Sequence, residues 1–456
     1  MTTLIKNALA IVEHVNSEEL FKTDNNSILI ENNVIVKIGH DLQDPADKVI
    51  DAAGMIVYPG MVNTHHHLMQ AFARNIPEAQ NLELFKWLHI VFDVLAKVDP
   101  DFMYYTMMVS GGELLKYGCT TVFDHQYSYP NGQNLELIDA QYKGAEELGI
   151  RYICGRGGIT RGVNGGGLAP ECIVETTDQF ITNTQKVIEK YKDDRPFAMR
   201  GVVVAPCSPF TVNEAAMTES AKLARAYKVK LHTHLCETMD EERFCKETYG
   251  MRPLEWAEKT GVFGSDTWYA HGIHFNDEEI KRLGQSKTGI AHCPISNMKL
   301  SSGICRVPEM IEAGVPLSLA VDGSASNDGS NMLEELRVSY LLHRLNSSEK
   351  APNGRKLFEI ATLGGARILG MDSYIGSLEV GKAADLFMIN IKKTADHVGA
   401  YDDPVSMLAT VGYKEPVDLT MVNGKVVVKD GHLVNVDEPV MAEKAYGYYK
   451  EMLVRK

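Results

Sequence analysis

The residues best suited to chemistry in this 456-residue chain are histidines that directly follow an apolar stretch, in Tyr58-Pro-Gly-Met-Val-Asn-Thr-His-His-His67. Successive side chains of a strand point to opposite faces, so His65 and His67 project together and His66 projects away. Two imidazoles on one face suit a divalent metal, although a histidine-rich polar turn would read the same way. Further candidate ligands stand where other apolar runs end: His232-Thr-His234-Leu-Cys-Glu237, His271-Gly-Ile-His274, His292 and Asp322-Gly-Ser-Ala-Ser326. His65, His67, His234 and Asp322 would give one divalent cation three imidazoles and a carboxylate, with a position left for water. Zinc is the expected ion, with iron or manganese as alternatives. Glu237 stands three residues beyond His234, within reach of that water, and can carry protons between it and a ring nitrogen. The alternative for Glu237 is a helix-start carboxylate facing free backbone N–H groups. His271 and Asp322 can flank the same water, whose pKa a bound metal brings towards ~7.

These residues need a scaffold that gathers strand ends. Eight apolar runs alternate with helical stretches: Ile56 to Asn63, Thr120 to Asp124, Arg151 to Gly155, Met199 to Pro206, Lys230 to Leu235, Thr267 to Ala270, Thr288 to Ala291 and Pro316 to Val321. They lack strict alternation, as parallel strands buried on both faces do. Eight such units fit a (β/α)₈ barrel, in which functional side chains come from the C-terminal ends of different strands. Helices are expected at Thr211 to Tyr227 and Met332 to Leu345, and an extra one within Asn81 to Val98 that either covers the mouth or packs on the barrel.

Both chain ends have a different texture. Short half-polar strands are expected at Leu4 to Val12, Ser27 to Glu31, Val34 to Ile38 and Val49 to Ile56. The same texture returns at Leu386 to Asn390, Leu419 to Val422 and Lys425 to Val428, the last two joined by an Asn423-Gly424 hairpin turn. The chain therefore divides into residues 1–57 and 376–456, one small β domain built from both ends, and residues 58–375, the barrel. A terminal helix, Pro439 to Val454, starts with its proline in the first turn.

A net charge of −14 without basic blocks argues against nucleic-acid binding. No apolar run approaches the ~18 residues of a membrane span, and the N-terminus lacks a signal-peptide pattern, so a cytoplasmic protein is expected. The eight cysteines form no Cys-x-x-Cys pair and read as small buried hydrophobes. Gly155 to Gly167 lacks the order of a dinucleotide site and reads as a flexible loop at the barrel mouth. Neither the His-Glu-x-x-His of metallopeptidases nor the Pro-Cys-x-x-Cys of nucleotide-editing deaminases is present.

Taken together, Pro59 to His67, His232 to Glu237, Ala270-His271, Asp322 to Ser326 and Gly376-Ser-Leu-Glu-Val-Gly-Lys-Ala-Ala-Asp385 resemble the amidohydrolase superfamily, in its cytosine-deaminase-like and triazine-hydrolase-like branch. The resemblance implies a distorted (β/α)₈ barrel beside a β-sandwich made from both termini. It also implies a metal on His65, His67, His234 and Asp322, with His271 polarising the water and Glu237 shuttling protons. Members with two metals carry a lysine at the end of strand four. Gly201-Val-Val-Val-Ala-Pro-Cys-Ser-Pro209 has none, which implies a single metal. His66 and His232 are expected to face elsewhere and serve structure.

Asn63 to Gln70, Thr120 to His125 and Val321 to Asp328 are most similar to 8-oxoguanine deaminases; isoxanthopterin deaminases and chlorotriazine or hydroxytriazine hydrolases share much of the pattern. The implied reaction is hydrolytic loss of an amino group from an electron-poor C=N carbon of a small flat heterocycle, most similar in its motifs to conversion of 8-oxoguanine to urate and ammonia. Alternatives are deamination of another pterin, purine or pyrimidine, triazine hydrolysis, or a metal-binding protein that has lost activity. The set of Asp322 and His271 favours a deaminase over triazine hydrolases whose metal set departs from it. Gln70, His125 and Arg161 are the candidate substrate contacts, each with a structural role as its alternative. Association with further copies of the chain is left open.

Overall fold

The structure, a computed structural model, describes residues 1–13 and 25–455. Its centre is one eight-stranded sheet in which neighbours follow sequence order: Met61–Asn63, Cys119–Gln126, Arg151–Gly158, Arg200–Pro206, Leu231–Leu235, Thr267–His271, Gly289–His292 and Leu317–Leu319. All seven ladders are parallel. Cys119–Gln126 and Arg151–Gly158 are buried at every residue, which is why their sequences do not alternate. The third strand runs three residues further than expected, through Gly158, so the glycine-rich loop begins only at Ile159.

The barrel is distorted in two places. Between the fourth and fifth strands only Val204 and Leu231 pair in the ladder, and the chains meet again where His234 N donates to Cys207 O at 3.1 Å. The first and eighth strands share no ladder; the seam is bridged by a two-residue parallel pairing of His66–His67 with Asp322–Gly323. Asp322 N donates to His65 O at 3.0 Å, and the Thr64 and Ser318 hydroxyls meet at 2.5 Å just below. Among the described residues no helix is long and apolar enough to cross a membrane.

The first expected run divides at Gly60. Met55–Pro59 pairs antiparallel with Leu386–Asn390 in the small domain, and only Met61–Asn63 enters the barrel. A Cβ at Gly60 would lie 2.2 Å from Thr120 Oγ1, so the close approach of the two strands requires glycine here. The small domain therefore reaches a few residues beyond 57. Its four-stranded sheet comes from the N-terminus, and its six-stranded sheet joins Ala10–Ile11 and Met55–Pro59 to four strands from the other end. Ile5, Ile28, Ile30, Val57, Leu386, Met388 and Met421 pack between the sheets. Asn423 and Gly424 both have positive φ, as a tight hairpin demands. The terminal helix Glu438–Val454 lies on the helix Pro100–Lys116, with Tyr448 OH donating to Asp99 Oδ1 at 2.7 Å.

Asp385 ties sandwich to barrel. Its carboxylate is buried, ion-paired with Arg151 at the start of the third barrel strand, and accepts Asn423 N at 2.6 Å, while its carbonyl accepts Gly60 N at 2.9 Å. Removing one partner of a buried pair leaves an uncompensated charge. Asp385→Ala is expected to lower unfolding free energy by about 3–5 kcal/mol in denaturant titration. Lys190→Ala, which breaks an exposed pair with Asp139, should cost at most about 1 kcal/mol.

Candidate active site

The polar ends of the strands converge on one chamber. It is lined by His67, Gln70, Tyr127, Cys207, Ser208, Thr211, His234, Glu237, His271, Asp322 and Ser326 on the strand side. Leu84, Trp87, Leu88 and Phe92 of the helix Leu84–Leu95 close it from above, so the extra helix covers the mouth.

Three imidazoles have their tautomers fixed by what their Nδ1 atoms touch. His67 Nδ1 lies 2.7 Å from His125 O, and His234 Nδ1 lies 2.6 Å from Cys207 O. A carbonyl only accepts, so each Nδ1 carries the proton and each Nε2 presents a lone pair. His232 Nδ1 donates to Trp268 O at 3.0 Å, leaving its Nε2 to accept from His65 Nδ1 at 2.9 Å. His65 Nε2 is thereby also a lone pair; it is buried without a hydrogen-bond partner, 3.1 Å from Asp322 Oδ1. His67 and His234 bring their Nε2 atoms to 3.1 Å, and His67 Nε2 is 3.3 Å from the same Asp322 oxygen.

Lone pairs converging on one another and on a carboxylate, with no proton between them, form the donor set of a divalent cation. The donor atoms of His65, His234, His271 and Asp322 lie within 4.8 Å of one another, as do those of His65, His67, His125 and His234. The electrostatics agree. Burial lowers His65 to about 3 against the pull of Asp322, and burial with the surrounding imidazoles lowers His234 well below its usual value, so both rings are neutral. Asp322 offers this cluster its Oδ1. Its second oxygen accepts from Ser296 Oγ at 2.6 Å and Ser326 Oγ at 3.0 Å.

Glu237 and His271 face each other across the chamber floor, Oε2 to Nε2 at 3.4 Å. His271 Nδ1 meets the Asn297 amide oxygen at 2.9 Å, which leaves Nε2 directed at Glu237. Burial, with the Asp322 charge added, pushes Glu237 up to about 8, where a carboxyl can both take and give a proton near neutral pH. His271 and Asp322 both sit at positive φ, 71° and 66°, and Cys236 beside Glu237 at 54°. Such backbone strain collects where a site over-determines the conformation.

Of the candidate substrate contacts, Gln70 alone lines the chamber. Its Nε2 donates to Tyr127 OH at 3.2 Å and its Oε1 accepts Ala325 N at 3.3 Å. A Cβ at Gly323 would strike that oxygen at 1.8 Å, so glycine is what admits the amide. His125 lies beneath the chamber, stacked on His234 at 4.9 Å, with Nε2 donating to Ala205 O at 2.7 Å. Arg161 lies outside it, donating to Tyr249 OH at 3.0 Å and packing on Phe244. The loop reaches the chamber wall only through its backbone, where Thr160 N and Arg161 N both donate to Thr211 O.

Two sequence readings need correction. His66 turns away, to Ser330 Oγ at 3.1 Å, but His232 does not: two residues before His234, it shares that face one layer deeper and orients His65. Glu241 escaped notice although Thr238-Met-Asp-Glu241 has the spacing of a helix-capping box. Fully buried, it accepts Cys236 N at 2.8 Å and Glu237 N at 3.2 Å, clamping the strained turn that aims Glu237. Seven of the eight cysteines are buried as expected, Cys172 being exposed, and Cys207 forms part of the chamber wall.

Comparison with known proteins agrees with this geometry. A sequence model described as the amidohydrolase family matches residues 56–427. The 8-oxoguanine deaminase of Pseudomonas aeruginosa is 40% identical, covering 90% of this chain and 91% of its own. The hydroxydechloroatrazine ethylaminohydrolase of Pseudomonas sp. (strain ADP) is 39% identical, covering 93% and 91%. Among solved structures, atrazine chlorohydrolase from Arthrobacter aurescens TC1 complexed with zinc superposes with a TM-score of 0.92 at 30% identity, over 98% of this chain and 100% of that one.

Two substitutions separate orienting residues from the groups they orient. His232→Phe keeps all four candidate ligands but removes the acceptor for His65 Nδ1; zinc affinity, measured by chelator competition, should fall about 10- to 100-fold. Glu241→Gln keeps the fold's volume but loses one of two acceptors; the site's turnover should fall on the order of 10²-fold with metal content unchanged.

Proposed function

This chain belongs to the amidohydrolase family, and from that membership we propose that it is a metal-dependent aminohydrolase of cyclic amidines that converts 8-oxoguanine to urate and ammonia. The observation that carries this reading is Glu237, a buried carboxyl raised to about 8, set 3.4 Å from His271 at the edge of the His65, His67, His234 and Asp322 donor set. A divalent cation held by those four residues, zinc by the chemistry of the donors, supplies Lewis acidity that makes water a nucleophile near neutral pH.

The chain's own groups do the rest. Leu84, Trp87, Leu88 and Phe92 exclude bulk water and offer apolar surface to a flat ring. Gln70, held by Tyr127 and Ala325, presents its amide to the ring's edge. Asp322, His271 and Glu237 together border the position of the attacking water. As the water oxygen adds to the amine-bearing carbon, Glu237 takes its proton and returns it to the ring nitrogen of the C=N bond. A second proton, from the added hydroxyl, passes to the exocyclic amine; the C–N bond breaks, ammonia leaves and a carbonyl remains. His271, its Nδ1 held by Asn297, turns its Nε2 lone pair toward the attacking water and polarises it by accepting a hydrogen bond.

A second reading rests on the 39% identical relative, whose name specifies an ethylaminohydrolase of a triazine. Both reactions displace an exocyclic amine from a C=N carbon, and the same residues serve either.

Substrates distinguish them. The zinc-loaded protein should release ammonia from 8-oxoguanine faster than from guanine, isoxanthopterin or cytosine, and faster than it releases ethylamine from an ethylamino-hydroxytriazine. Ethylamine release as the dominant activity would transfer the assignment to the triazine. Glu237→Gln should cost about 10²–10⁴-fold in turnover while retaining metal; unchanged turnover would remove Glu237 from the reaction.

A further inference from the structure

At the opposite end of the barrel from the chamber, a cavity of about 490 Å³ opens among the starts of the fifth to eighth strands. That is the size of a small-molecule site. Lys230, immediately before Leu231–Leu235, stands on one wall, and Lys287, just before Gly289–His292, on another. Lys356 and Arg367 complete the cations, and Glu359 is the one carboxylate in the lining. Glu359 is already committed, accepting from Lys356 Nζ at 2.7 Å and Arg367 Nη1 at 3.1 Å.

The two remaining ammonium groups have only backbone partners. Lys230 Nζ donates to Ser265 O at 3.1 Å and Lys287 Nζ to Gly314 O at 3.2 Å, and among the described residues neither is ion-paired. Burial depresses the Lys230 pKa, with Asp266 and Asp372 offsetting it from a distance; Asp266 itself is paired with Arg225. The chain as a whole carries −14, so a lining with four cations and one carboxylate is not its average surface. A cavity of similar size beside Tyr142 mixes Asp139 and Glu146 with Lys143, Arg200 and Lys425 and is close to neutral.

We propose that this cavity binds a phosphate-type oxyanion, with Lys230 and Lys287 as its principal charges and Arg367 at its rim. Each ammonium has donors to spare after its backbone contact, and a dianion between them satisfies both. Ile311, Ile360 and Ile368 line the adjoining wall, where an organic group esterified to the phosphate would rest. The site is independent of the reaction at the other end of the barrel.

Calorimetric titration of the zinc-loaded protein with inorganic phosphate and with phenyl phosphate, at fixed ionic strength, tests this. One saturable site is expected, weakened about 10-fold or more by Lys230→Gln and by Lys287→Gln. The largely exposed Lys287 can be replaced without disturbing the core, so the result does not hang on folding of the Lys230 variant. Equal affinities for the two probes assign the site to free phosphate, and tighter phenyl phosphate to a phosphate ester. Absence of saturable binding, or titration of the Lys287 variant like the unaltered protein, as phosphate bound at the zinc centre would give, overturns the proposal.

Discussion

A buried carboxylate must be met by counter-charge or hydrogen bonds, and Asp322 is where this protein meets that demand. One oxygen faces His65 and His67, the other is held by Ser296 and Ser326. Asp322 is also half of the short ladder that joins the last strand to the first. Closing the barrel and assembling the donor set are therefore the same event. The positive φ of Asp322 and His271 is stored where these two tasks meet. Strain of this kind persists only because the surroundings fix the conformation, and here the supports are the seam ladder, the Asn297 amide and the Glu241 carboxylate.

What the sequence made legible follows from period. In a strand, spacing of two decides the face, so His65 and His67 could be paired and His66 set aside from the letters alone. The same rule, applied to His232 and His234, puts both on the inner face, and depth rather than direction distinguishes the ligand candidate from the residue that orients His65. The barrel emerged because eight strands buried on both faces leave an apolar signature. The division at Gly60 did not, because Met55 to Asn63 is apolar on both sides of it and only packing against Thr120 shows where the strand changes sheets. Asn297, Ser296 and Tyr127 were unreadable for another reason: they act from loops and short helices, whose side-chain directions depend on tertiary contacts.

Apart from Glu237, Asp322 and the imidazoles, the chamber's lining consists of uncharged side chains. Amide, hydroxyl and thiol groups on one side face a wall of leucine, tryptophan and phenylalanine on the other. Such a lining suits an uncharged planar ring whose orientation is fixed by a few hydrogen bonds.

The helix Leu84–Leu95 carries the chamber's apolar wall. Leu84, Trp87, Leu88 and Phe92 recur at three- and four-residue spacing, so one face of a single helix supplies the cover. Substitutions at Trp87 or Phe92, which hold none of the polar groups of the site, would reshape the room offered to a ring and leave the donor set beneath it intact.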